Sequence, residues 1–171
     1  AVPEIFNFYW PEAMSTWLWT VYDYSMGVVG LLVSATTARA LAESMNRKLP
    51  KNKIINPTSV MLATIVSFLF LSTTKIDGGL SMAYMGTKGL LASFLSAFIT
   101  VNVYKFCVLK DITINLPKEV PGTISQTFRD LFPFSFSILC AVIIDLICRN
   151  AFGMVFAEAI ITVLQPLFSA A

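Results

Sequence analysis

From Ile54 to Thr74 the sequence runs 21 residues without a charged side chain. About 20 predominantly apolar residues are what a helix needs to cross the hydrocarbon of a bilayer. Val60, Leu62, Ile65, Val66, Phe68, Leu69, Phe70 and Leu71 together favour insertion by about 2–5 kcal/mol. The rest of the chain agrees. Charged residues are 13% of the 171 and hydrophobic residues 56%. A soluble domain carries about 25% charged residues, so half that fraction cannot coat a globule. The reading is an all-α integral membrane protein.

About four transmembrane helices are expected, over 17–45, 55–74, 89–109 and 131–148. Trp17, Trp19, Tyr22 and Tyr24 form an aromatic cluster of the kind that sits at a membrane interface. Lys105, near the end of the third span, can reach the interface by extending its side chain. Small residues recur every four positions: Gly30, Ser34, Ala38 and Ala42 on the first span, and Ser59, Ala63 and Ser67 on the second. Such a face lets another helix backbone approach closely. It predicts helix packing, and homodimer contacts through at least one of these faces.

Between the third and fourth spans, Ile112 to Phe134 is polar and holds Pro117, Pro121 and Pro133. Its first part reads as extended chain, because two prolines stop any helix. Thr123 and Gln126 then have capping-box spacing. Ile124, Phe128 and Leu131 follow as an apolar stripe. This predicts an interfacial amphipathic helix over 123–131, with Pro133 in the first turn of the next span. A second interfacial helix is expected over 153–166, where the apolar run before Pro166 is short for a span.

The chemistry available to the chain is narrow. There is no histidine, which removes the commonest general base and metal ligand. Cys107, Cys140 and Cys148 lie in or at the end of apolar runs with no CxxC, and read as packing residues. No catalytic residue, metal site or cofactor is assigned. Net charge is +2 without a basic stripe, so nucleic acid is not an expected partner. The Gly-rich connection at 75–89 contains Gly86-Thr-Lys-Gly89. It lacks the frame of a phosphate loop, and Gly86 and Lys88 are kept only as candidate substrate-binding residues. Asp145 and Arg149 are four apart and share a helix face. A local ion pair and an ion relay are both open.

Arg39, Arg47, Lys48, Lys51, Lys53, Lys105, Lys110, Lys118 and Arg129 are nine of the 12 basic residues, and all fall on one side of the proposed spans. Basic residues collect in the cytoplasm. Loops 46–53 and 110–130 are therefore expected there, with the amino terminus of the chain outside. An outside start without a signal peptide, no initial Met and no polar tail read as a fragment of a longer protein.

Several stretches then carry a resemblance. They are YDYSMGVVGLLVSATTARALAESMNRKLPKNKIIN, AYMGTKGLLASFLSAFITVNVYKF, ITINLPKEVPGTISQTFRDLFPFS and DLICRNAFGMVFAEAIITVLQPLFSAA. With them, essentially the whole chain resembles the lactose/cellobiose enzyme IIC family of the bacterial phosphotransferase system, on the side of its lactose-type members. MGTKG and LPKEVP are the most specific pieces. The resemblance implies a multi-pass cell-membrane permease that transports and phosphorylates a β-galactoside or β-glucoside. The phosphoryl donor is a cysteine phosphate on a IIB domain, served by a phosphorylated IIA protein. It also implies that this chain is the amino-terminal scaffold and homodimer half, with the sugar-binding half and IIB absent, so that it is no enzyme alone. A cellobiose permease of the same family and a stand-alone membrane assembly protein are the alternatives.

Overall fold

Asn56-Pro57 opens the most buried helix. The Asn56 side chain accepts a hydrogen bond from the backbone N–H of Thr58 at 3.1 Å, and proline at the first helical position has no N–H to lose. In the computed structural model, which describes residues 12–50, 53–114 and 122–169, the chain is almost wholly helical. Helix α1 spans Glu12–Ser25, α2 Val29–Asn46, α3 Pro57–Ser72, α4 Leu90–Leu109, α5 Gly122–Phe152 and α6 Phe156–Ser169. Single 3-10 turns, Met26–Val28 and Thr87–Gly89, precede α2 and α4. A hairpin of two-residue strands, β1 (Lys75–Ile76) and β2 (Gly79–Leu80), pairs Lys75 with Leu80 and Ile76 with Gly79.

Helices α2, α3, α4 and α5 form the bundle, with α3 packed on all three of the others. The small residues explain the close approach. Gly30, Ser34, Ala38 and Ala42 are all buried, as are Ala63 and Ser67, while Ser59 is half-buried. Ala38, Ala42, Val60, Ala63, Ala97, Val101 and Tyr104 make one continuous core. Ser34 donates to the Leu31 carbonyl at 2.7 Å and Thr64 to Val60 at 2.8 Å, while the buried hydroxyls of Ser67, Ser96 and Thr100 have no hydrogen-bond partner among the described residues. The expected small-residue faces are thus occupied within the chain. Ser34 and Ala38 have no exposed surface and offer nothing to a second copy. Ser34→Leu and Ala38→Leu are therefore expected to overpack the bundle by about 2 kcal/mol each. Loss of thermal stability in detergent should precede any change in oligomeric state. Dimers dissociating at unchanged stability would contradict this placement.

Three stretches are long and apolar enough to cross a membrane by length and composition: Met14–Asn46, Thr87–Leu109 and Ser125–Phe152. Pro57–Ser72, with 16 residues, is shorter. At 1.5 Å per residue it reaches about 24 Å.

Two boundaries differ from those expected. The first apolar stretch is not one helix over 17–45, since the Met26–Val28 turn separates α1 from α2. The main contacts of α1 are with that turn. Nor do 123–131 and 131–148 form separate helices. Gly122–Phe152 is one helix of 31 residues with Pro133 inside it. Proline there removes one backbone hydrogen bond, yet the helix continues because both flanks are held. Pro133 is itself fully buried, and Asp130, one turn earlier, is tied to α3. Phe128 and Leu131 are exposed, while the Ile124 side chain lies outside the described residues. At about 46 Å, α5 exceeds the roughly 30 Å of hydrocarbon. The last helix, expected over 153–166, begins at Phe156 after Gly153 turns the chain with φ 69° and runs through Pro166 to Ser169.

Candidate functional site

Polar side chains gather at the two ends of the bundle. At one end, the loop after α2 is held by three sets of bonds. Asn46 brackets Ile55, donating to its carbonyl at 2.7 Å and accepting from its N–H at 2.9 Å. Lys53 donates to the Leu109 carbonyl at 2.7 Å and pairs with Asp111 at 2.8 Å. Asn56 donates to Asp130 at 2.6 Å, and Gln126 donates to the other carboxylate oxygen at 2.9 Å. One asparagine thus caps α3 and anchors the start of α5. Arg47, Lys48 and Lys110 remain exposed around this layer. Lys51 and Lys118 lie outside the described residues.

At the other end, the segment between α3 and α4 meets the break in the first apolar stretch. The N–H of Leu31 donates to the Met85 carbonyl at 3.3 Å, compensating a donor that the helix break leaves free. The approach demands glycine. A Cβ on Gly30 would lie 2.6 Å from the Met85 carbonyl oxygen, and one on Gly86 2.8 Å from that of Met26. A Cβ on Gly89 would overlap the Tyr84 carbonyl oxygen at 1.9 Å. Gly86, expected as a substrate-binding candidate, therefore has a backbone-packing role in this structure.

The same end carries the buried charge. Asp145 is only 6% exposed, and its Oδ2 accepts from Arg149 Nε at 2.5 Å. Arg149 Nη2 reaches across to the Thr73 carbonyl at 2.9 Å, at the end of α3. The spacing of the two residues suggested the ion pair; its use as a tie between helices adds a third partner. Asp145 Oδ1 has no hydrogen-bond partner among the described residues. Burial, and the charge of Glu158 of α6 beside it, push the Tyr84 phenol above the usual tyrosine range.

Lys88, the other candidate, is exposed at the start of α4. It borders a cleft of about 290 Å³ lined also by Leu91, Ile161, Leu164 and Gln165. The surface of this cleft is almost wholly aliphatic and does not make a sugar site, which needs several convergent donors and acceptors. Gly86 faces the Met26–Gly27 backbone and is not among the residues lining this cleft. Among the described residues no group of three or more Cys, Asp or Glu side chains could hold a metal ion. All three cysteines are free, Cys107 buried and the other two half-buried. Neither Tyr84 beside Glu158 nor the bond between Asn56 and Asp130 was foreseen. Only the Asn-Pro helix start at 56–57 carried a local signal.

Comparison with known proteins gives this architecture a context. Residues 1–170 match the family described as Phosphotransferase system, EIIC. Over 171 residues the chain is 50% identical to the PTS system lactose-specific EIICB component of Streptococcus mutans serotype c, covering 99% of this chain and 30% of that protein. It is 52% identical over the same length to the PTS system lactose-specific EIICB component of Staphylococcus aureus strain COL, again covering 99% and 30%. The chain thus spans under a third of the length of these relatives. The fold is similar to that of the transporter ChbC, the IIC component from the N,N′-diacetylchitobiose-specific phosphotransferase system. There the TM-score is 0.72 at 22% identity, over 86% of this chain and 35% of that one.

Proposed function

Because this chain belongs to the EIIC family of the phosphotransferase system, we propose that it is the amino-terminal scaffold part of a permease for lactose or a related β-glycoside. In this reading the whole permease carries its sugar across the bacterial cell membrane, and a cysteine phosphate on the IIB domain phosphorylates it there. IIB is recharged by a phosphorylated IIA protein. The single observation supporting lactose is the 50–52% identity, along the whole chain, to lactose-specific components. The fold itself supports no choice of sugar, since the structural relative is only 22% identical.

The geometry supports a scaffold. Apolar helices carry small residues into tight contact, polar ties close both ends, and none of the described side chains makes a constellation for phosphoryl transfer. Phosphate transfer requires in-line nucleophiles and charge-stabilising groups, and the cysteines sit among apolar residues rather than in such a setting. Sugar recognition and chemistry are assigned to the remainder of the permease. Homodimerisation is proposed through surfaces other than the small-residue faces. Phosphoenolpyruvate-dependent uptake by vesicles carrying the full-length permease is expected to be faster for lactose than for cellobiose. The reverse order would replace lactose with cellobiose as the substrate, and uptake of neither would return the chain to a membrane assembly role.

The orientation is proposed from the basic loops, with the Asn46–Asn56 layer in the cytoplasm and the hairpin end outside. Cysteine at Lys48 or Lys110 is expected to react with a membrane-impermeant maleimide only in inside-out vesicles, and cysteine at Lys75 only in intact cells. The opposite pattern would invert the topology.

A further inference from the structure

We propose that the outward face of α2, from Thr36 to Arg47, lines a water-filled cleft in the whole permease, open at the end of the bundle that holds Asn46. Thr36, Arg39, Ala40, Glu43, Ser44 and Arg47 are all exposed. Their spacings of three and four place them on one side of the helix over about 16 Å. The opposite side carries the buried Ser34, Ala38 and Ala42.

Depth sets this face apart from its neighbours. Ala38 and Ala42 share one core cluster with Val60, Ala63, Ala97 and Val101, and Phe134 of α5 packs against it. Arg39 and Glu43, next to those alanines in sequence, stand at the depth of that layer. Leu62, Phe98 and Phe136 stand there too, and they are exposed on α3, α4 and α5. Hydrocarbon suits those three side chains. It does not suit a guanidinium and a carboxylate whose side chains are 61% and 50% exposed, because charged groups inside a span are costly and turn to protein or to water. Extension of the side chain does not carry the cation clear of the layer. Arg39 reaches only to Glu43, Nε to Oε1 at 3.0 Å, and Glu43 adjoins the buried Ala42. Water fits this face better than polypeptide. Among the described residues the pair makes no other hydrogen bond, which leaves both Nη groups and the second carboxylate oxygen to be met. Water meets all of them at once, whereas packed polypeptide would need a polar partner for each. The paired charges also cancel, so they hold no net attraction for an ionic partner.

The proposal rests on membrane embedding and not on the sugar transported, so its failure would leave the lactose assignment standing. The test uses full-length permease in phosphatidylglycerol nanodiscs, where both ends of the bundle meet solvent. The parent protein supplies the background from its own cysteines. A nitroxide on a cysteine at Thr36 or Ala40 should collide more often with a water-soluble nickel chelate than with oxygen. At Leu62 or Phe98 the order should reverse. All four positions are exposed, so the substitutions leave the core intact. As a second measurement, cysteine at Ala40 should react with a charged methanethiosulfonate about tenfold faster than cysteine at Phe98, the effect of one pKa unit of thiol ionisation between water and an apolar setting. Oxygen dominating at Ala40 as at Phe98 would put lipid on this face. Low collision with both reagents at Ala40 would put polypeptide there. Equal thiol reactivity at the two positions would remove the cleft. Each of these results overturns the proposal.

Discussion

Gly89→Ala is expected to remove most of the folded permease from the membrane, while Gly79→Ala, ten residues away, leaves it untouched. A Cβ at Gly89 would sit 1.9 Å from the Tyr84 carbonyl oxygen, 3.0 Å from its carbon and 3.3 Å from the Phe68 ring. The first two are backbone atoms, which no rotamer change can move aside. Relief requires displacing Tyr84, which packs on the cluster of Phe68, Ala92 and Ala157, or tilting the start of α4 away from Phe68. Both pull on that buried cluster. Overpacking of ordinary core sites costs about 1–3 kcal/mol, and a backbone collision without slack belongs above about 3 kcal/mol. At Gly79 nothing lies within 4 Å of an added Cβ, so its substitution stays within about 0.5 kcal/mol. The amount of monodisperse full-length permease after mild heating, compared between the two variants, measures this directly. Equal yields would mean that the 82–89 segment does not press on α4 as described.

Those two glycines also show what could be read from the residues alone. Both belong to a Gly-rich connection by composition, and nothing local distinguishes the one that is jammed from the one that is free. The difference lies in which backbone arrives, and that is a tertiary fact. The same holds for the break at Met26–Val28. An uncharged apolar run looks alike whether it is one helix or two, and the break is stabilised by Leu31 bonding to Met85 from a distant loop. Apolar runs themselves were legible, because absence of charge over a membrane thickness is a one-dimensional property. The start of α3 could have been placed at Asn56-Pro57, since capping is local. Pro133 misled for a physical reason. Proline favours a first turn, but here Asp130 is fastened to Asn56, 74 residues away, which holds the preceding turn helical. Of the polar sites, the Asp145–Arg149 pair was visible as a spacing, whereas its Thr73 partner, 76 residues from Arg149, was not.

That third partner determines what loss of Arg149 should do. Arg149→Ala takes the cation from a carboxylate that is 6% exposed and whose other oxygen already lacks a partner. It also removes the donor to the Thr73 carbonyl. Breaking a buried pair from one side costs about 3–5 kcal/mol. The Arg149 side chain is 38% exposed, so water screens part of its charge, and about 3 kcal/mol is the expected loss. Arg149→Lys should recover only part of it. An ammonium can pair with Asp145, but it lacks the planar fork that serves Asp145 and Thr73 together. The double change Asp145→Leu/Arg149→Leu should be milder than Arg149→Ala, because it removes the stranded charge along with its partner. Thermal unfolding of the full-length permease, arranged as a double-mutant cycle, separates the cases. The order expected is wild type, then Arg149→Lys and the double leucine variant, then Arg149→Ala. If Arg149→Ala were as stable as wild type, the pair would be an incidental surface contact and α3 and α5 would be held together at this end of the bundle by apolar packing alone. If the double leucine variant matched Arg149→Ala instead, the missing bond to Thr73 rather than the stranded carboxylate would be the cause, and the tie between helices would outweigh the ion pair itself.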